Sequence, residues 1–447
     1  MWIYNILGGL FMRRKAMDSL VEWKDEVNRK PLIIRGARQV GKTWLMKEFG
    51  KLYYEQCVYI MMDENERMQD VFKDTFDIQR IIMALQIECG FTIEPDKTLI
   101  ILDEIQEIPR ALKSLKYFYE NAPEYHIVAA GSLLGVTLHE GTSFPVGKVA
   151  FLDMYPLDYE EFLNALGENQ SLQLLVSRDF SLITSFRGKF IDLLKQYYYV
   201  GGMPEAVLSF TQHKDFKKVR IIQRRLLNAY EEDFSKHAPT EIVTRIKMLW
   251  NSIPTQLAKE NKKFVYGVVR EGARAREYEV ALTWLMDSGL IYKLNRVKKP
   301  DFPLNAYQDF SAFKLYVLDV GLLGAMSKLN VKILLEGNRM FEEYKGALTE
   351  QFVLQQLMGN EESDIFYWTS EQVTAEIDFI LQFEDKIIPI EVKAEENLRA
   401  KSLRSYCKKY SPMVAIRTSM SDYRREDWMI NYPLYCISTL EDYLSEI

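Results

Sequence analysis

Four short apolar runs organise the first third of the chain: "PLIIRG" (31–36), "CVYIMM" (57–62), "TLIILDE" (98–104) and "HIVAAGS" (126–132). Each is closed by glycine or an acidic residue. Runs of this length, apolar on both faces and separated by helical periodicity, predict buried parallel strands in an α/β layout. A fifth strand is expected at "KVAFLDM" (148–154), followed by "PLDYEEFLNAL", where Asp158 is placed to cap a helix.

From about residue 160 to 240 the apolar spacing is helical, as in "KFIDLLKQYYYV" and "RIIQRRLLNAYEEDF". These segments are interrupted by "GGMPEAV" (201–207), a Gly-Gly-x-Pro break with a helix restarting after it. In the next region "EYEVALTWLMDSGLIYKLNRV" reads as an amphipathic helix, a glycine stop and a strand entering a hairpin. Together with "KLYVLDVGLLGAM" it suits a small winged-helix domain. The last part opens with a helix over 340–358. Strands near 364–368, 376–383 and 386–393, a basic helix around 399–410 and two further short strands follow. No long repeat or low-complexity linker is evident.

Composition narrows the classes. A chain of 447 residues is too long for one core, and 48% apolar with 13% aromatic residues suits packed domains. The net charge of −6 does not mark the whole molecule as a nucleic-acid binder, although a basic patch would suffice. Four dispersed cysteines (Cys57, Cys89, Cys407, Cys436) without a CxxC pair favour a reducing cytoplasm, and four histidines without ligand spacing argue against structural zinc. The apolar run in residues 1–11 is too short to span a bilayer and precedes its basic residues, so Met12 is an alternative start and no membrane association is expected.

The chemistry begins at "GARQVGKT" (Gly36–Thr43), which matches GxxxxGK[ST] between an expected strand and helix. Gly36 and Gly41 let the loop curl so that main-chain N–H groups face phosphate oxygens, aided by the helix amino terminus. Gly36, Ala37, Arg38, Gln39, Val40, Gly41, Lys42, Thr43 and Trp44 are therefore the expected nucleotide contacts. Lys42 is expected on the β- and γ-phosphates, and Thr43 on Mg²⁺. "TLIILDE" delivers Asp103 to the magnesium water shell and Glu104 as the base for an attacking water, while Ser132 is positioned to sense the γ-phosphate. Arg110, Arg224 and Arg225 are candidates for an arginine finger, none singled out by pattern.

"RGARQVGKT", "ILDEIQEIP", "AAGS", "YPLDYEEFL" and "GGMPEAV" resemble the bacterial and archaeal AAA-type ATPases related to the STAND switches, which carry a C-terminal restriction-nuclease-like domain. The resemblance runs from about Met12 over nearly the whole chain. It implies an α/β multidomain protein: a P-loop NTPase core with a parallel sheet (1–160), a helical lid (161–240), a winged helix (241–335) and a restriction-nuclease-like α/β domain (336–447). It also implies ATP and Mg²⁺ as cofactors and a contact from Pro204 to the nucleotide base.

In the last domain "EIDF" and "IPIEVK" raise a separate question, because charges on apolar strands must be satisfied by partners or a metal. Glu391 and Lys393 share one strand face, and a tight loop brings Asp378 across from them. This arrangement resembles the PD-(D/E)xK nuclease core, in which Asp378 and Glu391 would hold a divalent metal and Lys393 would orient water. Glu350 corresponds to the extra acidic residue of such sites. The basic helix, with Arg399, Lys401, Arg404, Lys408 and Lys409, and the "RVKKP" segment (296–300) are candidate phosphate contacts. Two readings remain open: an ATP-controlled nuclease acting on DNA, and a switch whose nuclease-like domain only binds nucleic acid or a protein partner; a protein partner or a homo-oligomer is a possible assembly in either. A DNA-translocating motor is disfavoured because no second set of helicase motifs is found.

Overall fold

The computed structural model describes residues 12–74, 76–132, 145–259, 263–336, 342–359, 364–370, 375–394 and 400–447. The segment 1–11 and Arg399, both singled out above, lie outside the described residues. The chain divides into two units, one of Arg13–Tyr155 with Asp287–Leu290, the other of Pro156–Met286 with Ile291–Ile447.

The first unit is built on a parallel five-stranded sheet: β1 (Leu32–Arg35), β2 (Gln56–Met61), β3 (Thr98–Asp103), β4 (His126–Ala130) and β5 (Ala150–Asp153), in the order β2-β3-β4-β1-β5. The central strands β3 and β4 are buried along their whole length, which is why their sequences are apolar without alternation. Helices cover the sheet, and Ile33, Val58, Ile100, Leu102 and Ile127 belong to one continuous core. The order has a functional consequence: β4 lies between β1 and β3, with Ala130 in register with both Ile34 and Asp103. The residues following β1, β3 and β4 therefore emerge side by side at one carboxyl edge, where open α/β sheets bind ligands.

The second unit contains a helical region and a mixed eight-stranded sheet. Its strands are β6 (Ile291–Val297), β7 (Gln308–Val317), β8 (Asp364–Thr369), β9 (Glu376–Phe383), β10 (Lys386–Val392), β11 (Ile416–Ser419), β12 (Arg424–Arg425) and β13 (Ile430–Pro433). The order is β12-β13-β11-β10-β9-β8-β6-β7. The β6–β7 hairpin therefore continues the sheet of the last domain through a parallel β6–β8 pairing, across the boundary expected at 335/336. Three strands, rather than two, follow the basic helix Lys401–Tyr410.

Within this unit the Gly-Gly-x-Pro turn is held from several directions. The Gly202 N–H donates to Asp319 Oδ2 at 2.6 Å, and the Leu157 N–H donates to the Gly202 carbonyl at 2.7 Å. Asp319 is fully buried and also accepts from the Leu322 N–H and Gln355 Nε2. Burial pushes its carboxyl above the usual range, although the Gly202, Leu322 and Gln355 bonds pull the other way.

Candidate functional site

The loop Gly36–Thr43 joins β1 to the helix Lys42–Tyr53. Gly36 and Gly41 have φ of 135° and 101°, and a Cβ at Gly36 would lie 2.2 Å from the Met154 carbonyl oxygen. Glycine is obligatory there on both grounds. Lys42 is buried, and its Nζ donates to the Gly36 and Ala37 carbonyls, both at 2.8 Å. Burial lowers its pKa to about 8, with Arg38 adding to the effect and Glu104 and Asp103 opposing it. Arg14 clamps the loop from below, donating to the Val40 carbonyl at 2.9 Å and to the Tyr155 carbonyl at 2.6 Å.

Thr43 Oγ1 donates to Asp103 Oδ2 at 2.6 Å, and the Tyr59 hydroxyl donates to the same oxygen at 3.0 Å. Glu104 follows in left-handed backbone (φ 51°). Its carboxylate accepts from Gln106 Nε2 at 2.6 Å, from Ser132 Oγ at 3.0 Å and from the Ser132 N–H at 3.3 Å. Burial alone would raise its pKa, but these bonds and the charge of Lys42 hold it below the usual carboxylate range. Arg38 Nε donates to Ser132 Oγ at 3.0 Å, which links the loop to the ends of β3 and β4. A curled main chain, a lysine and an arginine suit a polyphosphate, and the Thr43–Asp103 oxygens suit Mg²⁺, so these residues fit a magnesium nucleotide.

The residues expected at this site, Gly36 through Trp44 with Asp103, Glu104 and Ser132, thus lie on one loop and two adjoining strand ends. Three others were not foreseen. Arg14 and Tyr59 carry no motif. Gly289 looks like a helix stop, yet it packs against the loop: a Cβ there would come 3.0 Å from the Ala37 nitrogen, in backbone with φ 71°. Of the arginine-finger candidates, Arg110 donates to the Phe72 carbonyl and lies over the Phe76 ring, while Arg224 and Arg225 are exposed on the helix Phe216–His237. Pro204 opens the helix Pro204–His213, in the second unit.

A separate charged cluster lies on the eight-stranded sheet. The antiparallel β9–β10 register pairs Phe379 with Ile390, so Asp378 and Glu391 follow at the next position. Glu391 is buried; its Oε1 is 2.8 Å from Lys393 Nζ, and its Oε2 accepts the Leu403 N–H at 3.3 Å in the first turn of the basic helix. Asp378 Oδ2 accepts the Val392 N–H at 2.7 Å. Glu350, on the helix Glu342–Leu357, accepts from the Tyr316 hydroxyl at 3.2 Å. Lys314 on β7 was not foreseen, although a lysine within the apolar run "AFKLYVL" is the signal. It is fully buried, paired with Glu376 and 3.8 Å from Glu350. Burial pulls the Lys314 and Lys393 pKa values down, but Tyr316 with Glu376, Glu350 and Asp378 around Lys314, and Glu391 with Asp378 and Glu350 around Lys393, prevail and hold both ammonium groups charged. Among the described residues no three His, Cys, Asp or Glu side chains are grouped to hold a metal ion.

Comparison with known proteins bears on the first site. Residues 28–163 match an AAA domain, 191–332 a domain of unknown function (DUF8612) and 345–437 a second domain of unknown function (DUF4143). No curated protein matches the sequence. Solved structures with similarity include a Walker-type ATPase of Pyrococcus abyssi, at 15% identity over 71% of this chain and 96% of that one, with a TM-score of 0.45. The Aeropyrum pernix Orc1 protein in complex with DNA follows at 13% identity, 70% and 91% coverage and a TM-score of 0.28. The Thermotoga maritima RuvB Holliday junction branch migration motor has 15% identity, 62% and 87% coverage and a TM-score of 0.27. The chain carries an AAA-type P-loop ATPase domain, which implies ATP binding, followed by two domains of unknown function. No helix among the described residues is long and apolar enough to cross a membrane.

Proposed function

We propose that this chain is an ATP-hydrolysing switch whose nucleotide state governs a nuclease-like site in its last domain, acting on DNA. The observation that carries the reading is the convergence of Lys42, Thr43, Asp103, Glu104 and Ser132 at three adjacent strand ends within an AAA domain. Lys42 and the Gly36–Trp44 main chain would bind the phosphates. Thr43 and Asp103 would hold Mg²⁺, which neutralises phosphate charge when bound. Glu104 would accept a proton from water as its oxygen bonds to the γ-phosphorus and ADP leaves with the electron pair of the broken P–O bond. Pro204 would contact the base.

Coupling is proposed to run along the chain. The Asp287–Leu290 turn, which includes Gly289 beside Ala37, continues directly into β6 of the eight-stranded sheet. The helices and hairpin of 241–335 are read as a winged helix. In the last domain Asp378, Glu391, Lys393 and Glu350 are read as a PD-(D/E)xK-like centre in which Asp378 and Glu391 hold Mg²⁺ or Mn²⁺. The exposed Lys401, Arg404, Lys408 and Lys409, with Lys298 and Lys299, would meet DNA phosphates.

A second reading is favoured by one observation: Asp378 and Glu391 already satisfy main-chain N–H groups and Lys393, and no three-ligand cluster accompanies them among the described residues. In that reading the last domain binds nucleic acid or a protein without cleaving. The two are separated by incubating the chain with linear, nicked, circular and branched DNA in Mg²⁺ or Mn²⁺, beside Asp378→Ala. Metal-dependent cleavage lost in the variant supports the first; DNA retention without cleavage on every substrate supports the second.

A further inference from the structure

Ser132 was expected to sense the γ-phosphate, yet its hydroxyl is already committed. A serine hydroxyl has one proton to donate, and here it points to the Glu104 carboxylate, while the oxygen accepts from Arg38 Nε. A direct bond from Ser132 to a phosphate would therefore have to break its bond to Glu104. Arg38 differs. It is part of the phosphate-binding loop itself, four residues before Lys42, and is half-buried. Its guanidinium offers a planar fork of donors that matches a phosphate better than a hydroxyl does. Two cations on one short loop repel each other, and an anion placed against both relieves that repulsion.

Resting on the ATPase reading above, we propose that the Arg38 side chain is the γ-phosphate sensor of this site and acts through Ser132 to set whether Glu104 is available to the attacking water. With Arg38 on Ser132, the hydroxyl is oriented toward Glu104 and, with Gln106 and the Ser132 N–H, engages its carboxylate oxygens. A γ-phosphate competes for the guanidinium. Once Arg38 turns to it, Ser132 loses the donor that orients its hydroxyl, and Glu104 exchanges that partner for water. ADP lacks the group that draws Arg38 away, so the post-hydrolysis nucleotide leaves Glu104 engaged. Arg38 is thus a sensing and positioning residue, and it accounts for discrimination between triphosphate and diphosphate without an arginine from a second chain.

The test uses the full chain, with fluorescent ADP, a non-hydrolysable ATP analogue and steady-state hydrolysis. In Arg38→Gln the ADP affinity should stay within about threefold, while the ATP-analogue affinity falls roughly ten- to hundredfold, the range of a charge-assisted hydrogen bond. At saturating ATP turnover should stay within about threefold of wild type or rise, because without Arg38 the Ser132 hydroxyl is no longer held on Glu104, while Arg38→Lys, which keeps the charge but not the fork, should recover part of the analogue affinity. Ser132→Ala frees Glu104 by the same route, so adding Arg38→Gln to it should change saturating turnover by about threefold or less while the analogue affinity still falls. Equal losses of ADP and analogue affinity would overturn the proposal, and so would a loss of saturating turnover of about a hundredfold or more in Arg38→Gln. A wild-type chain that binds ATP without hydrolysing it would refute the hydrolysis reading, while the two affinities would still decide the role of Arg38.

Discussion

Replacing Gly202 by alanine probes the point at which the Gly-Gly-x-Pro turn is tied to the rest of its unit. An alanine Cβ would lie 2.0 Å from the Leu157 carbonyl oxygen and 2.8 Å from the Leu157 nitrogen, all main-chain atoms that cannot rotate aside. Relief requires moving the turn, which lengthens the Leu157–Gly202 bond and the bond from Gly202 to buried Asp319. A neutral bond contributes about 1 kcal/mol, a charge-assisted one about 1.5–3, and overpacking costs about 1–3, giving roughly 3.5–7 kcal/mol of lost stability. Urea unfolding of Gly202→Ala beside wild type reads this directly. Gly188→Ala is the control. That glycine is exposed in the helix Arg187–Val200, and a Cβ added there would meet nothing within 4 Å, so the change should be neutral or stabilise by up to about 1 kcal/mol. A Gly202→Ala chain within about 1 kcal/mol of wild type would refute the claim that the Asp319–Gly202–Leu157 contacts hold the turn rigidly.

Other substitutions test the sites. Lys42→Ala should weaken ATP binding by about a hundredfold or more, in a fluorescent-nucleotide titration, without moving the urea midpoint of the second unit. Lys314→Met leaves Glu350 and Glu376 without their buried cation and should cost about 3–5 kcal/mol in denaturant unfolding; a loss under about 1 kcal/mol would show that the pair is not a structural tie. His126 is buried between the Tyr54 hydroxyl and Asp96, and burial, with Arg29 adding to it, lowers its pKa to about 4. The unfolded chain therefore takes up a proton near pH 6.5 that the folded chain resists, so this contribution is complete above pH 6.5 and lost as pH falls toward 4. Between pH 7 and 5 His126→Phe should lose about 2 kcal/mol less stability than wild type, and an unchanged difference would refute the assignment.

The parallel sheet was legible because strands buried on both faces write continuous apolar runs. "TLIILDE" and "HIVAAGS" foretold β3 and β4 to within a residue or two. The phosphate loop was legible for a different reason: its chemistry is local, and eight consecutive residues contain the whole geometry. What was not legible is pairing between distant segments. Nothing in the period of "IYKLNRV" shows that β6 will lie beside β8, because the hydrogen bonds run through main chain common to every residue. Lys314 reaches Glu350 and Glu376 only because of that pairing. Likewise Gly289 ends a helix in any reading of the sequence, and its close approach to Ala37 exists only in three dimensions. Asp319 could be read as a helix cap, which it is, but not as the acceptor for Gly202 more than a hundred residues earlier.

The central claim is that nucleotide state at the phosphate loop reaches the eight-stranded sheet. Amide hydrogen exchange of a Glu104→Gln chain, which should bind ATP without turning it over, measures this with ATP, with ADP and with no nucleotide added. The account predicts that ATP, and not ADP, alters exchange in 287–297 and in the β9–β10 segment 376–393, and that Lys42→Ala abolishes the change. An ATP effect confined to residues 36–44 and 103–132, with both distant segments unchanged, would contradict it.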